Sequence, residues 1–481
     1  MGPLKCFAAR HGLTASRSTS VVIVLLKWSQ PNTQEKRLSG TVGEFFGGSG
    51  RRIRDSVWGD IPVDRAVRKL LDCDAFARLK RMKQLGFAEQ SFPEARHSRF
   101  DHSIGVYYLT RLTLKRIMDS GAYLENHDVQ GALAAALLHD AARYPYAQAI
   151  ESIALPGMTS TQELSRRLIE ESEISGVLAG EWDLEPHSVF RLIARNPGGE
   201  PHDLTPTEHL VRDIIFGALN VNALDCLVRD ARGAKVPYDI VDARALIQTL
   251  KIVGYENRAI LAVDEEGACY LQALVFSRYL MHYNVHGHRA LRIPTVMFLR
   301  AVQDAVQSGA LSPEKLAHQD DARAFAMVQD SAEPDSSTAI LTRRLMDGRL
   351  YHRALEFDER HPSYASLIRL REDASWRRRV EEAWSHYLTR YRKGEAGPFD
   401  ILIDLPPKED FSLGLRLIRP ASLPWERGLT GWQGLSGMTD EDMTRYHACL
   451  QRIRIVTASD DLAASVRRHA EELFTIAEEV S

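Results

Sequence analysis

The chain has 481 residues, too many for one compact core, so it predicts a large domain with an appended lobe or two closely packed domains. Hydrophobic residues make up 44% and charged residues 26%, the balance of an ordinary globular protein, and the formal net charge of -3 gives no global attraction to nucleic acid or an anionic membrane. Five scattered cysteines, Cys6, Cys73, Cys226, Cys269 and Cys449, form neither a disulfide framework nor a zinc-binding spacing, which predicts a reducing cytoplasmic setting.

Along the chain, VVIVLL (21–26) is too short to span a membrane and is interrupted by Lys27. We read it as a strand or a long start to the chain, and the Gly- and Ser-rich run from Ser39 to Arg51 as a linker, so residues 1–50 are an N-terminal extension. From there to residue 320 the periodicity is helical. Residues 66–83 place Val67, Leu70, Leu71, Phe76, Leu79 and Met82 at helical spacing, and 102–118, 129–139, 161–171 and 207–232 follow. GALAAALL (131–138) is apolar nearly all round, the pattern of a buried helix. Pro197-Gly198-Gly199 and Pro201 mark a loop. AILAVD (259–264), Glu-Glu-Gly and ACYLQAL predict a hairpin leading into a helix near Arg278, and FDILIDLP (399–406) predicts a strand. Residues 459–480 predict an amphipathic helix with Ser459 as N-cap and Leu462, Val466, Leu473 and Ile476 on its docking face. The class is mainly α, with a helical core over 51–320 and a small α+β lobe over 321–481.

Two segments carry the chemistry: HSRFDHSIGV (97–106) and ALLHDAARYPY (136–146). The second ends a buried helix in His139 and Asp140, a costly placement for two ionisable groups unless they are paired. Imidazole with carboxylate suits a divalent transition ion, and His102 opens the other helix beside Arg99.

Several ordered motifs carry a family resemblance: IRDSVWGDIPVD (53–64), FARLKRMKQLG (76–86), FPEARHSRFDHSIGV (92–106), LLHD (137–140), Glu163-Leu164-Ser165, Arg229-Asp230 and RYLMHYNVHGHRA (278–290). In this the chain resembles the HD-domain deoxynucleoside triphosphate triphosphohydrolases, the group that includes the bacterial dGTPases. The resemblance implies an HD helical core that cleaves dNTP to deoxynucleoside plus triphosphate. It also implies a divalent ion (Mn, Fe, Ni, Zn or Mg) on His102, His139 and Asp140, and a homo-oligomer. Arg99 and Arg278 match phosphate-holding positions, Gln84 and Leu85 match positions beside base and sugar, and Asp230 matches one that accepts from the 3′-hydroxyl.

The departures fall at the chemistry. Counting back from Asp230, the last metal-ligand position is Asn222, followed by Ala223, so the ion is expected to be held weakly. Arg143 and Gln148 stand where the family has two histidines, and Thr161 where it has another, so the usual general-acid groups are missing. Candidates to replace them are Arg143 as a fixed cation at the leaving group, Asp225 one helical turn from Asn222, and His286, which replaces a Tyr; each competes with a plain packed side chain. Three functions therefore stay open: a dNTP phosphohydrolase with an altered proton path, a nucleotide-binding sensor or regulatory subunit without turnover, and a scaffold.

Overall fold

In the computed structural model, the described residues are 51–153, 155–194, 204–255, 258–392, 396–397, 399–407, 415–418, 428–432 and 438–480. The N-terminal extension, with VVIVLL and the predicted linker up to residue 50, and the Pro197–Pro201 loop lie outside them.

The chain opens with a hairpin, β1 (Arg51–Asp55) against β2 (Gly59–Val63), and the short helices α1 (Arg65–Leu71) and α2 (Asp74–Arg78). Long helices then follow: α3 (Arg99–Asp119), α4 (Asn126–Leu138), α5 (Thr161–Glu171), α6 (Pro206–Phe216) and α7 (Val221–Gly233). A second hairpin, β3 (Leu250–Tyr255) and β4 (Arg258–Val263), precedes α8 (Ala268–Met281), a π turn over His282–His286, and α9 (Arg289–Gln307). After α10 (Ser337–Met346) come β5 (His352–Asp358), α11 (Ala374–Arg392), β6 (Ile401–Asp404), β7 (Arg416–Ile418), β8 (Leu429–Gly431), α12 (Asp440–Leu450), β9 (Arg452–Thr457), α13 (Asp460–Arg468) and α14 (Ala470–Glu479). Shorter helices fill the connections, so the mainly α class with a minor β component holds.

Three hydrophobic cores organise these elements. The first is built from α1 to α4, α6, α7 and α8, and α4 is buried at Val129 and from Gly131 through Leu138 as its apolar circumference requires. The second surrounds α9, with Tyr144, Met297, Phe298, Leu341 and Leu345. The third is clamped by Trp384 of α11 and by α13 and α14, where Leu462, Val466 and Leu473 are buried as their spacing predicts. The sheet order β5-β9-β6 makes β9 central and antiparallel to both neighbours. Its side chains alternate between cores: Ile453 and Ile455 join the third, Val456 the second, and in β6 Ile401 and Ile403 face the third while Leu402 faces the second.

Two predicted elements are corrected. ACYLQAL is the start of α8, not a strand, and the strand that pairs with AILAV is LKIVGY (250–255) on its N-terminal side, joined through all six residues of each strand. The predicted helix over 207–232 is two helices, broken at Gly217 and restarted where the Asn220 side chain caps the Ala223 amide. The terminal helix likewise divides at His469. Among the described residues no helix is long and apolar enough to cross a membrane, and the four cysteines there are free.

Candidate metal centre and adjoining cavity

The site begins with a helix start. The Ser98 hydroxyl accepts from the Asp101 amide and the Asp101 carboxylate accepts from the Ser98 amide, a reciprocal cap that fixes where α3 begins. Arg99 and His102 then lie three residues apart, neighbours on one helix face. α7 crosses α3 beside Gly105, where a Cβ would lie 1.8 Å from Asp225 Oδ1, so only a glycine allows this approach. Helical spacing puts Asn222, Asp225, Cys226, Arg229 and Asp230 on the α7 face turned to α3. α4 delivers His139 as its C-cap and Asp140 just beyond.

His102, His139 and Asp140 are all buried, and one ligand atom from each lies within 4.8 Å of the others. His102 Nδ1 is 2.7 Å from Asp225 Oδ2, and His139 Nδ1 is 2.8 Å from the Ala136 carbonyl oxygen. Since both acceptors lack hydrogen, each Nδ1 carries a proton, and an imidazole that holds no second proton presents a lone pair at Nε2. Those two Nε2 atoms face each other at 3.3 Å, and Asn222 Oδ1 lies 3.0 Å from that of His102. Asp140 Oδ1 is 3.8 Å from His139 Nε2. Lone pairs converging on one point need something positive among them, which a proton on His102 Nε2 supplies and which a divalent cation would supply equally, so the donor set fits such an ion.

The electrostatics agree. Burial holds His139 down to about 4, the neutral form a ligand needs. Burial opposes the charge of Asp140, but Arg143, His139 and Arg99 outweigh it and keep its carboxyl well below the usual range. His102 goes the other way: burial opposes its charge, but Cys226 and Asp225 overcome it and raise its pKa, so an ion bound there must displace a proton from Nε2.

Several expected roles are revised by these contacts. Asp225 is fully buried behind His102, forked by Arg229 at 2.8 and 2.9 Å and bonded by the Trp58 indole, so it orients the imidazole instead of facing a reactant. Arg229 in turn is held by Asp55 at 2.9 Å, tying the β1–β2 turn to the site. Arg143, expected as a cation at a leaving group, pairs with Asp140 at 2.9 Å and with Glu151. Arg278 is not at the cavity described next; it lines a separate groove with Phe276, Tyr279, Met443 and Tyr446, because helical spacing carries it to the α12 side of α8.

Beside the metal centre opens a cavity of about 770 Å³ whose walls include Lys83, Gln84, Leu85, Arg99, Gln148 and His286. Arg99 links the two, with Nη1 at 2.6 Å from Asp140 Oδ2. Its buried Nε and the buried Oε1 of Gln84 have no hydrogen-bond partner among the described residues, leaving a donor and an acceptor at the wall. Asp230 lies between His97 (2.8 Å) and His286 (2.9 Å), whose bonds overcome burial and hold its carboxyl well below the usual range. The structure therefore gathers Gln84, Leu85, Arg99 and His286 around one space and His102, His139, Asp140 and Asn222 around one point.

Other wall residues were absent from the sequence reading. Tyr146 adopts a left-handed backbone (φ 47°), rare for a bulky side chain, and stacks on Phe87 with ring centroids 4.7 Å apart. Lys83 adjoins Gln84 in the QLG motif and could have been found there. Arg292 and Arg454 arrive from α9 and β9, and no local motif announces them.

A family model described as an HD associated region matches residues 241–412. An uncharacterized protein of Methanocaldococcus jannaschii, MJ1154, is 24% identical over 269 residues, 56% of this chain and 53% of that protein. The deoxynucleoside triphosphate triphosphohydrolase SAMHD1 of Gallus gallus is 24% identical over 279 residues, 53% of this chain and 45% of that protein. The chain thus spans about half the length of these curated relatives. Among solved structures, a phosphohydrolase from Bacteroides thetaiotaomicron shares the fold with a TM-score of 0.64 at 18% identity, over 85% of this chain and all of that one.

Proposed function

We propose that this chain, related to HD-domain proteins by the match over 241–412 and by its relatives, is a divalent-metal phosphohydrolase that cleaves deoxynucleoside triphosphates to deoxynucleoside and triphosphate. The observation that carries the reading is the facing pair of imidazole Nε2 atoms at 3.3 Å, with Asn222 Oδ1 beside one of them.

His102, His139 and Asp140 would hold the ion, with the neutral carbonyl of Asn222 as a weaker fourth donor. Bound there, a divalent ion supplies Lewis-acid polarisation of a phosphoryl oxygen and a lowered pKa for water. The protein's own groups do the rest. Arg99, bonded to Asp140 through Nη1, has its Nε free to receive a phosphate oxygen next to the metal point. Lys83 adds a second cation at the wall, and Phe87 and Tyr146 offer a stacked aromatic surface for a base. In the His97–Asp230–His286 array, His286 is held by Asp230 through Nε2, which leaves Nδ1 of this wall residue as the ring nitrogen to exchange a proton with a ligand. It replaces the missing histidines with a different proton path.

A second reading is favoured by one observation: both oxygens of Asp140 are engaged by guanidinium groups, Oδ2 by Arg99 and Oδ1 by Arg143. That competes with metal ligation and suits a nucleotide binder without turnover. The test is to incubate the full chain with Mn²⁺ and each deoxynucleoside triphosphate, singly and in pairs, and to quantify deoxynucleoside and triphosphate. Equimolar release, lost in His139→Ala, is expected. Tight nucleotide binding without release supports the regulatory reading, and absence of both binding and release overturns both.

A further inference from the structure

A second cavity, of about 680 Å³, lies between α9, the 371–377 segment and the end of β6, adjoining the first cavity at Arg292. It is unusual in its arginines: Arg292, Arg300, Arg371 and Arg377 line it, against Glu372 and Asp404. Asp404 is occupied by Arg292 at 2.6 Å and Arg454 at 3.4 Å, and Glu372 is exposed. The Arg300 side chain is only 5% exposed and pairs with Glu381 through Nη2, yet its buried Nη1 has no hydrogen-bond partner among the described residues. The buried Nε atoms of Arg371 and Arg377 are in the same condition. Three buried guanidinium nitrogens without acceptors around one space are a costly arrangement, since each has given up water and received nothing.

Packing like charges together adds to that cost. Burial lowers the pKa of Arg377 and Arg300 beside it lowers it further, which Glu381 and Asp404 offset only in part; Arg378, which pairs with Asp304, is lowered by burial and by Arg300 against Glu381 and Glu382. An oxyanion between them would remove both penalties at once. Guanidinium groups suit such a guest, because their fork matches paired phosphate oxygens. The apolar part of the wall, with Val296, Leu299 and Leu405, leaves room for more than a bare anion.

We propose that this arginine-lined cavity is a binding site for a phosphate-bearing anion, separate from the metal centre. Recognition comes from Arg300 Nη1 and the Nε atoms of Arg371 and Arg377. The site does not depend on the dNTP reading, because it needs no metal ion and shares with the first cavity only the wall residue Arg292.

The test is calorimetry on the full chain, using orthophosphate, tripolyphosphate and a nucleoside triphosphate as probes at constant ionic strength without divalent metal. Arg99→Gln removes the phosphate contact of the first cavity, and one binding event is expected to remain. Arg377→Gln, added to Arg99→Gln, should weaken that event at least tenfold. If circular dichroism shows that Arg377→Gln does not fold, Arg371→Gln carries the same expectation. Orthophosphate binding as tightly as the nucleotide would assign free phosphate as the ligand, and tighter nucleotide binding would assign a phosphate tail; either supports the site. Loss of all binding in Arg99→Gln alone, or a remaining event indifferent to both cavity variants, overturns it.

Discussion

His102 divides its two ring nitrogens between duties. Nδ1 faces the buried Asp225 carboxylate and Nε2 faces the metal point, so Asp225 fixes both the tautomer and the direction of the lone pair. Asp225→Asn keeps the shape but removes the charge that holds the proton on Nδ1, and it leaves Arg229 short of one partner. We expect Mn²⁺ affinity, measured by competition with a fluorescent chelator, to fall about 10- to 100-fold. An unchanged affinity would mean that the carboxylate serves packing alone. Asn222→Asp should act in the opposite sense, because it adds a negative donor at the Oδ1 position 3.0 Å from His102 Nε2. Metal retained after native purification should rise, read by elemental analysis, and equal retention would place the ion elsewhere. Of the four residues expected to hold metal, the clustering of His102, His139 and Asp140 was legible because two of them are adjacent and the third opens a capped helix. Arg278 misled because the motif containing it fixes its helix but not which side of that helix meets the cavity. Glu151, which pairs with Arg143, gave no sign at all, since nothing local says which acid a buried arginine will find.

Helices α3 and α7 meet at Gly105, and their closeness is what brings Asn222 and Asp225 to His102. A methyl group at residue 105 would overlap Asp225 Oδ1 and lie 2.5 Å from Arg229 Nη2, both parts of a buried ion-pair network that cannot swing into solvent. Gly105→Ala should therefore cost about 1–3 kcal/mol or more despite its gain in helix propensity. The urea midpoint reads this directly, and a variant as stable as the parent would show that the crossing tolerates separation. Most helices could be read from periodicity because each has one side in a core. The misread strand at ACYLQAL shows the limit: a short run of small apolar and aromatic residues fits either period, and here the helix prevails because Leu271, Leu274 and Val275 reach the first core at helical spacing. Its sister strand LKIVGY stands only two residues before β4, a hairpin spacing that the sequence offered on the N-terminal side instead of the C-terminal one.

At the scale of the whole molecule, the main cavity is walled by parts from distant stretches of chain: Gln84 and Arg99, the π turn with His282 and His286, Arg292 of α9, and Arg454 of β9. β9 can supply Arg454 because alternate residues of that strand face different cores, and Arg454 shares its side with Val456. The site therefore exists only when the whole chain is folded, and the groups buried in it bear on global stability. His282 is the clearest case. Burial, with His286, Arg278, Arg292 and Arg452 around it, pushes its pKa down to about 3, against about 6.5 for an unfolded histidine. The folded protein refuses a proton that the unfolded chain accepts, so the stability contributed by neutral His282 is complete above pH 6.5 and declines as pH falls toward 3. Between pH 7 and 5 most exposed carboxylates are still ionised, and the loss from this histidine should reach about 2 kcal/mol. His139, held down to about 4, adds to the same trend while no ion is bound. The difference between parent and His282→Gln isolates the first contribution: urea midpoints in chelator should converge as the pH is lowered from 7 to 5. Parallel curves over that range would mean that His282 accepts a proton as readily in the folded protein as in the unfolded chain.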